Sequence, residues 1–168
     1  MTIKVGDMLP DGKLSESTEY DAAAGCPINP HDLSVAEATR GKKVVIFALP
    51  GAYTPTCSAK HVPSYVKGFD QLKAKKVDEI WCVAVNDAFV MAAWGRDQKV
   101  GGKIRMLSDG SAEWTKKLGL ILDRTAANMG LRSQRYSMLV ENGVLKKLNV
   151  EAPGKYEVSG AETMLTQL

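Results

Sequence analysis

Two stretches of the chain are apolar without interruption. In residues 43–49, Val44, Val45, Ile46, Phe47, Ala48 and Leu49 follow one another, and in residues 80–85 the run is Ile80, Trp81, Cys82, Val83, Ala84 and Val85. Neither alternates with polar residues, so each predicts a strand covered on both faces. Pro50-Gly51 closes the first run. Between the two, Val62, Tyr65, Val66, Phe69 and Leu72 recur at spacings of three and four, the stripe of an amphipathic helix. Pro63 lies inside that stripe and predicts a kink. Asn86-Asp87 then offers capping oxygens to a helix carrying Phe89, Val90, Ala93 and Trp94. Residues 103–107 predict a further strand, and Asp109-Gly110-Ser111 turns into a helix over 113–118. Residues 136–140 and 144–150 flank Glu141-Asn142-Gly143, a strong hairpin signal. A helix over 160–168 ends the chain. The N-terminal third is broken by Leu9-Pro10-Asp11-Gly12 and by Gly25-Cys26-Pro27-Ile28-Asn29-Pro30, which predict turns and loops. Around them lie an extended stretch near 13–19 and a short helix over 34–39, ended by Gly41. The order is strand, helix, strand, more of the same, a hairpin and a helix. It predicts an α/β fold: a central mixed sheet flanked by helices.

Composition narrows the class. A chain of 168 residues suits one domain over 1–168. An apolar fraction of 45% with 24% charged residues is that of an ordinary folded protein and excludes a disordered one. The net charge of +3 comes from 22 basic and 19 acidic residues, and Lys42-Lys43, Lys73, Lys75-Lys76 and Lys146-Lys147 sit in small groups beside apolar segments. That pattern is one of solvated element ends and gives no sign of a nucleic-acid partner. No apolar run reaches the ~18 residues of a membrane span. The N-terminal residues lack the apolar core of a signal peptide and carry Asp7 early, unlike a transit peptide. Three cysteines are an odd and sparse set, suited to a reducing compartment. The expectation is a cytoplasmic protein.

Chemistry concentrates where the first buried strand meets the first long helix. Ligands of open α/β sheets bind outside the carboxyl ends of the strands, and Cys57 falls there, near a helix start. Helix N-termini stabilise thiolate, the nucleophilic form. Making an ordinary thiol mostly ionised at pH 7 takes about 3.4 kcal/mol, and a helix dipole supplies about 0.3–2 kcal/mol. A second donor is needed, and Thr54 and an arginine are candidates. The plainer alternative is an inert buried cysteine. His61, four residues on, shares a helical face with Cys57 and suggests a Cys–His thiol hydrolase or transferase. A non-enzymatic redox sensor is a third possibility. His31 sits in a Pro-flanked loop, and three Cys with two His are too few and too irregularly spaced for a metal site. Neither a P-loop nor a dinucleotide fingerprint occurs, and no cofactor is expected.

Pro50-Gly51-Ala52-Tyr53-Thr54-Pro55-Thr56-Cys57 resembles the P-x-x-x-T-x-x-C active-site loop of peroxiredoxins. Three ordered segments together are similar to the type II, peroxiredoxin-5-like branch: residues 50–63, Val85-Asn86-Asp87-Ala88-Phe89-Val90 with Trp94-Gly95, and Arg135-Tyr136-Ser137-Met138. The likeness covers nearly the whole chain and implies a thioredoxin-like fold. It implies that Cys57 is the peroxidatic cysteine, cycling through sulfenic acid, with Thr54 contacting thiolate and peroxide. Pro50 would wall the pocket, and Arg135 would hold the thiolate and polarise the peroxide. Without the resemblance Arg135 is a surface cation beside Arg132, and Thr54 a helix cap. His61 becomes a structural support of the pocket rather than a base.

The resemblance also implies hydrogen peroxide or alkyl hydroperoxides as substrates, an external thiol (glutathione, glutaredoxin or thioredoxin) as reductant, and a homodimer. Some members carry a resolving cysteine at the position of Cys26, in a Gly-Pro loop, and some plant members one at the position of Cys82. Cys82 lies mid-strand, where a buried inert thiol is the first expectation. The resolving cysteine of the human type has no counterpart in Lys155-Tyr156-Glu157-Val158-Ser159-Gly160, which favours a one-cysteine cycle.

Overall fold

The computed structural model describes all residues, Met1 to Leu168. The N-terminal part contains β1 (Lys13–Glu16), β2 (Glu19–Asp21), β3 (Cys26–Ile28), β4 (His31–Ser34) and α1 (Val35–Thr39). Then come β5 (Lys43–Ala48), a π-helical turn (Cys57–His61) running into α2 (Val62–Ala74), β6 (Glu79–Ala84), α3 (Ala88–Asp97), β7 (Arg105–Ser108) and α4 (Glu113–Leu118). The last part holds β8 (Ile121–Arg124), a short 3-10 turn (Thr125–Ala127), β9 (Gly130–Ser133), β10 (Tyr136–Glu141), β11 (Val144–Val150) and α5 (Ala161–Thr166).

Seven strands form one sheet in the order β11-β10-β5-β6-β7-β1-β4. The apolar runs 43–49 and 80–85 occupy its centre as the parallel pair β5 and β6, with Phe47 opposite Cys82. Their alternate residues face two separate cores. Val45, Phe47, Cys82 and Ala84 pack with Tyr65 of α2, Trp94 of α3 and Met164 of α5. Val44, Ile46, Trp81 and Val83 pack with Trp114 and Leu118 of α4 and Val35 of α1. A large apolar side chain buried this way contributes about 1.5–3 kcal/mol, so the middle strands are the rigid base of the molecule. The Asn142-Gly143 turn joins β10 and β11 as an antiparallel hairpin, both residues having positive φ (48° and 78°).

Several expectations are corrected. The Pro- and Gly-punctuated sequence predicts loops at Cys26 and His31, but they lie in β3 and β4. The hairpin β8–β9 has no sequence signal at all. These strands are three or four residues long and largely exposed, so they lack the apolar pattern that announces buried strands. Pro63 falls inside one helical stretch that begins at Pro55, directly after the π-turn, whose widened bonding (Val62 N donating to the Cys57 carbonyl) makes room for a residue with no N–H.

A charged staple crosses the sheet. Arg105 of β7 donates to Glu16 of β1 and, at 2.8 Å, to Glu79 of β6, which also meets Lys42 Nζ at 2.6 Å. Burial works to raise the pKa of Glu79, but the bonds from Lys42, Arg105 and Trp81 outweigh it and hold the carboxyl below its ordinary range. Arg105→Ala is expected to lower the free energy of urea unfolding by about 1–2 kcal/mol at pH 7, since it takes the shared cation from buried Glu16 and partly buried Glu79 and leaves them only His31 and Lys42. A depressed carboxylate stabilises the fold above its unfolded pKa and loses that contribution as pH falls. The gap between wild type and variant should therefore narrow below about pH 4. A gap that stayed constant down to acid pH would show that the staple carries no charge-dependent stability.

Candidate active site

The site is built at the carboxyl end of β5. Antiparallel β10 lies beside β5 with Tyr136 opposite Ala48, so the start of β10 meets the end of β5. Arg135, one residue before β10, is thereby brought to Cys57 across 78 positions of sequence. Its Nη2 donates to Cys57 Sγ at 3.2 Å, and its Nη1 donates to His61 Nδ1 at 3.0 Å.

The loop between β5 and Cys57 is tightly held. Ala52 N donates to Asn86 Oδ1 at 2.9 Å, and Thr54 Oγ1 donates to the Gly51 carbonyl at 2.7 Å. Tyr53 takes a left-handed conformation (φ 57°), and its hydroxyl donates to Asp97 at 2.6 Å. A Cβ at Gly51 would lie 2.6 Å from Arg132 Nη1, the mobile end of a long side chain, and would displace that guanidinium from the Pro50 carbonyl. Pro55 and Thr56 open the helix, and Pro55 suits this position because its absent N–H would be unpaired anyway. The backbone then widens into the π-turn, closed by Val62 N donating to the Cys57 carbonyl. Such turns recur at functional sites.

Cys57 is 1% exposed and belongs to the core cluster on the α2 face. It combines the burial of an inert thiol with a guanidinium contact that an inert thiol does not have.

His61 is fully buried and stands between two groups of opposite demand. Nε2 donates to the Ser159 carbonyl at 3.0 Å, and Nδ1 accepts from Arg135. A carbonyl only accepts and a guanidinium only donates, which fixes a neutral ring with its proton on Nε2. Burial first, and then the Arg135 charge, push its pKa down to about 3. With both nitrogens engaged elsewhere, His61 is not paired with Cys57 as a base. Ser159 is anchored in turn. The Glu151 carboxylate accepts from the backbone N–H groups of Glu157, Val158 and Ser159 at 2.8–2.9 Å and from Ser159 Oγ at 2.7 Å. Burial would raise its pKa, but these bonds prevail and lower it. Tyr65 Oη donates to the same Ser159 carbonyl at 2.9 Å.

The residues singled out by sequence divide clearly. Cys57, Arg135 and His61 converge, and Pro50 and Thr54 lie in the loop leading to them. The Thr54 hydroxyl bonds the loop carbonyl of Gly51 and makes no hydrogen bond to Cys57. Cys82 is fully buried on the same sheet face as Cys57; burial first, then the neighbouring Cys57, raise its pKa. Cys26 is exposed on β3, and all three cysteines are free thiols. His31 is exposed and bonds Glu16 at 3.2 Å. No group of three His, Cys, Asp or Glu side chains is placed to hold a metal ion.

Four contributors were not anticipated: Asn86 as a clasp on the loop, Arg132, Glu151 and Tyr65. Asn86 had a partial signal, since Asn86-Asp87 marks a helix start. Asp87 does the capping, accepting from Val90 N at 2.8 Å, which leaves Asn86 for the loop. Arg132 donates to Met129 and, weakly at 3.4 Å, to the Pro50 carbonyl.

Comparison with known proteins places this geometry. The Redoxin family model matches residues 4–165. The chain is 45% identical to chloroplastic peroxiredoxin-2E of Arabidopsis thaliana over 99% of its length and 70% of that protein's. It is 42% identical to peroxiredoxin-2C of the same plant over 99% and 98% of the two chains. Its backbone is similar to the structure of reduced Prx3 from Vibrio vulnificus in complex with hydrogen peroxide, with a TM-score of 0.90, 52% identity and 99% of both chains covered. With an arginine-bound cysteine at the end of a central strand and likeness along almost its full length, the chain belongs to the peroxiredoxins, in their type II, peroxiredoxin-5-like branch.

Proposed function

We propose that this thiol peroxidase works through Cys57, as the peroxidatic nucleophile, and Arg135. The observation that carries the assignment is the Arg135 fork, with one Nη on Cys57 Sγ and the other on neutral His61. The Cys57 thiolate attacks one peroxide oxygen. An S–O bond forms as the O–O bond breaks, and the departing oxide takes a proton to leave as water or an alcohol. Sulfur is oxidised to sulfenic acid and the peroxide is reduced. Charge moves from sulfur to the leaving oxygen, and a fixed guanidinium close to both stabilises that movement without reorganising. Pro50 shields the thiolate, and Thr54 keeps acceptor capacity toward the peroxide while bonded to Gly51. Hydrogen peroxide and organic hydroperoxides are the substrates; the Vibrio vulnificus relative was solved with hydrogen peroxide.

An external thiol closes the cycle. It condenses with the sulfenic acid to a mixed disulfide, releasing water. A second thiol then displaces Cys57 and forms the external disulfide. Glutathione, glutaredoxin and thioredoxin are the candidate donors. A one-cysteine cycle is favoured because Cys82 is locked inside paired β6 and Cys26 lies on a separate hairpin. The chain acts as one redoxin unit over 1–168. Exposed Tyr20, Tyr53 and Phe89 gather at a groove that includes Cys26, which supports assembly as a homodimer through this face. Three free thiols fit a cytoplasmic location.

Cys57→Ser is expected to abolish peroxide consumption, and Cys82→Ser to leave the first oxidation step intact. Peroxide consumption by Cys57→Ser at the wild-type rate would sink the assignment. Mass spectrometry after one equivalent of peroxide then separates a lasting sulfenic acid, a Cys57–Cys26 bridge between subunits and a mixed disulfide with added thiol. Arg135→Lys, which replaces a fork by a point charge, should slow Cys57 oxidation about 100-fold in stopped-flow fluorescence. His61→Gln should cost no more than about tenfold, the effect of losing a single net hydrogen bond. A complete loss in His61→Gln with the fold intact would instead favour a Cys–His mechanism.

A further inference from the structure

A cavity of about 300 Å³ opens on the outer side of the site, with Pro50, Thr56 and Arg135 in its wall. A single water needs only about 10–15 Å³ by such a measure, so the space far exceeds what hydrogen peroxide fills. Its charge is uneven. Arg124, Arg135 and Lys155 line it, against Glu151 as the single carboxylate. Two of these groups are already engaged. Arg135 is held by Cys57 and His61, and Glu151 accepts the Glu157–Ser159 donors. Arg124 and Lys155 differ, for neither side chain makes an ion pair within the chain. They come from two separate elements. Arg124 ends β8 of the separate β8–β9 hairpin, and Lys155 sits in the turn closed by Lys155 N donating to the Ala152 carbonyl at 3.0 Å. A neutral peroxide gains nothing from two such cations in a cavity that shares Pro50 and Arg135 with the site.

We infer that this cavity is a vestibule for a small carboxylate-bearing co-substrate, whose anionic groups are held by Arg124 and Lys155 while its reactive end approaches Cys57 past Pro50. The inference rests on Cys57 being the reacting thiol. Two molecules share the required chemistry: an anionic thiol such as glutathione, which would reduce the sulfenic acid, and a fatty-acid hydroperoxide, which would form it.

The test compares charged with uncharged partners within each protein, so that any general loss of activity cancels. Stopped-flow fluorescence would follow reduction of peroxide-oxidised enzyme by glutathione and by 2-mercaptoethanol. It would also follow oxidation of reduced enzyme by linoleic acid hydroperoxide and by tert-butyl hydroperoxide. In the Arg124→Gln, Lys155→Gln double variant, the anionic-to-neutral rate ratio should fall about threefold or more in one of the two pairs. The same ratio should fall in wild type as ionic strength rises, and Arg124→Lys should retain it. A fall in the thiol pair identifies the reductant as the occupant, and a fall in the hydroperoxide pair identifies the substrate. If neither ratio moves, the inference is wrong. Calorimetric binding of unreactive S-methylglutathione and of linoleate to wild type and double variant reads the vestibule without turnover; equal affinity in both proteins, or no binding to either, overturns it too. Failure of hydrogen peroxide to oxidise wild-type Cys57 would strike the peroxidase assignment instead, and leave the binding result to decide the vestibule.

Discussion

A half-buried guanidinium needs acceptors for its fixed N–H groups, and the catalytic end of this molecule is arranged around that need. A charge withdrawn from water costs several kcal/mol unless it is paired and hydrogen-bonded. Arg135 finds its acceptors in Cys57 Sγ and His61 Nδ1. The second of these works only if His61 is neutral with its proton on Nε2. Burial first, and then the meeting of a second N–H and a second cation with Arg135, push the His61 pKa down to about 3. Nε2–H then needs its own acceptor, the Ser159 carbonyl, and Ser159 is held by Glu151. The sulfur at position 57 is thus oriented through a chain of bonds that ends near the C-terminus.

That chain can be precise because it hangs from a rigid sheet. β5 and β6 are buried on both faces, and β10 is registered directly on β5. The antiparallel insertion of β10 matters more than its composition. A parallel strand in that place would put its C-terminal end, not its start, beside the end of β5. The loop from 50 to 54 is correspondingly stiff, clasped by Asn86 and closed by Thr54 on Gly51. Cys57 is therefore presented from a turn with little freedom, so less ordering is left to be done when a peroxide arrives.

Legibility in the sequence tracked the range of the interaction responsible. The central strands, the amphipathic α2, the capped α3 and the Asn142-Gly143 hairpin all rest on local pattern, and all were visible. The separate hairpins β2–β3 and β8–β9 were not, because short exposed strands need no apolar alternation. Pro63 marks an irregularity in this helix, but its form, a π-turn over Cys57–His61 ending two residues earlier, is not written in the residue types. In the site itself, Cys57 stood out by position at a strand–helix junction, whereas Pro50, Thr54 and Arg135 stood out only by likeness to a family. Glu151 gave no signal, and Tyr65 showed only as a core position of the α2 stripe; each acts on Ser159, which lies far away in sequence from Tyr65 and outside any recognisable motif.

By itself the sequence determined that a buried parallel β-α-β unit would carry Cys57 at a strand's carboxyl end, because periodicity, capping and turn chemistry are local properties of the chain. It also determined which residue types stand ready to act on a thiol. Only the tertiary structure decided which of them do. It brought Arg135 across 78 positions to the sulfur, and it turned His61 from a possible base into a neutral acceptor. It also left Arg124 and Lys155 without acidic partners beside the same cavity. The reason is that charge, burial and hydrogen-bond direction at a site are set by what surrounds it in space, and the neighbours of Cys57 come from strands and turns distant in sequence.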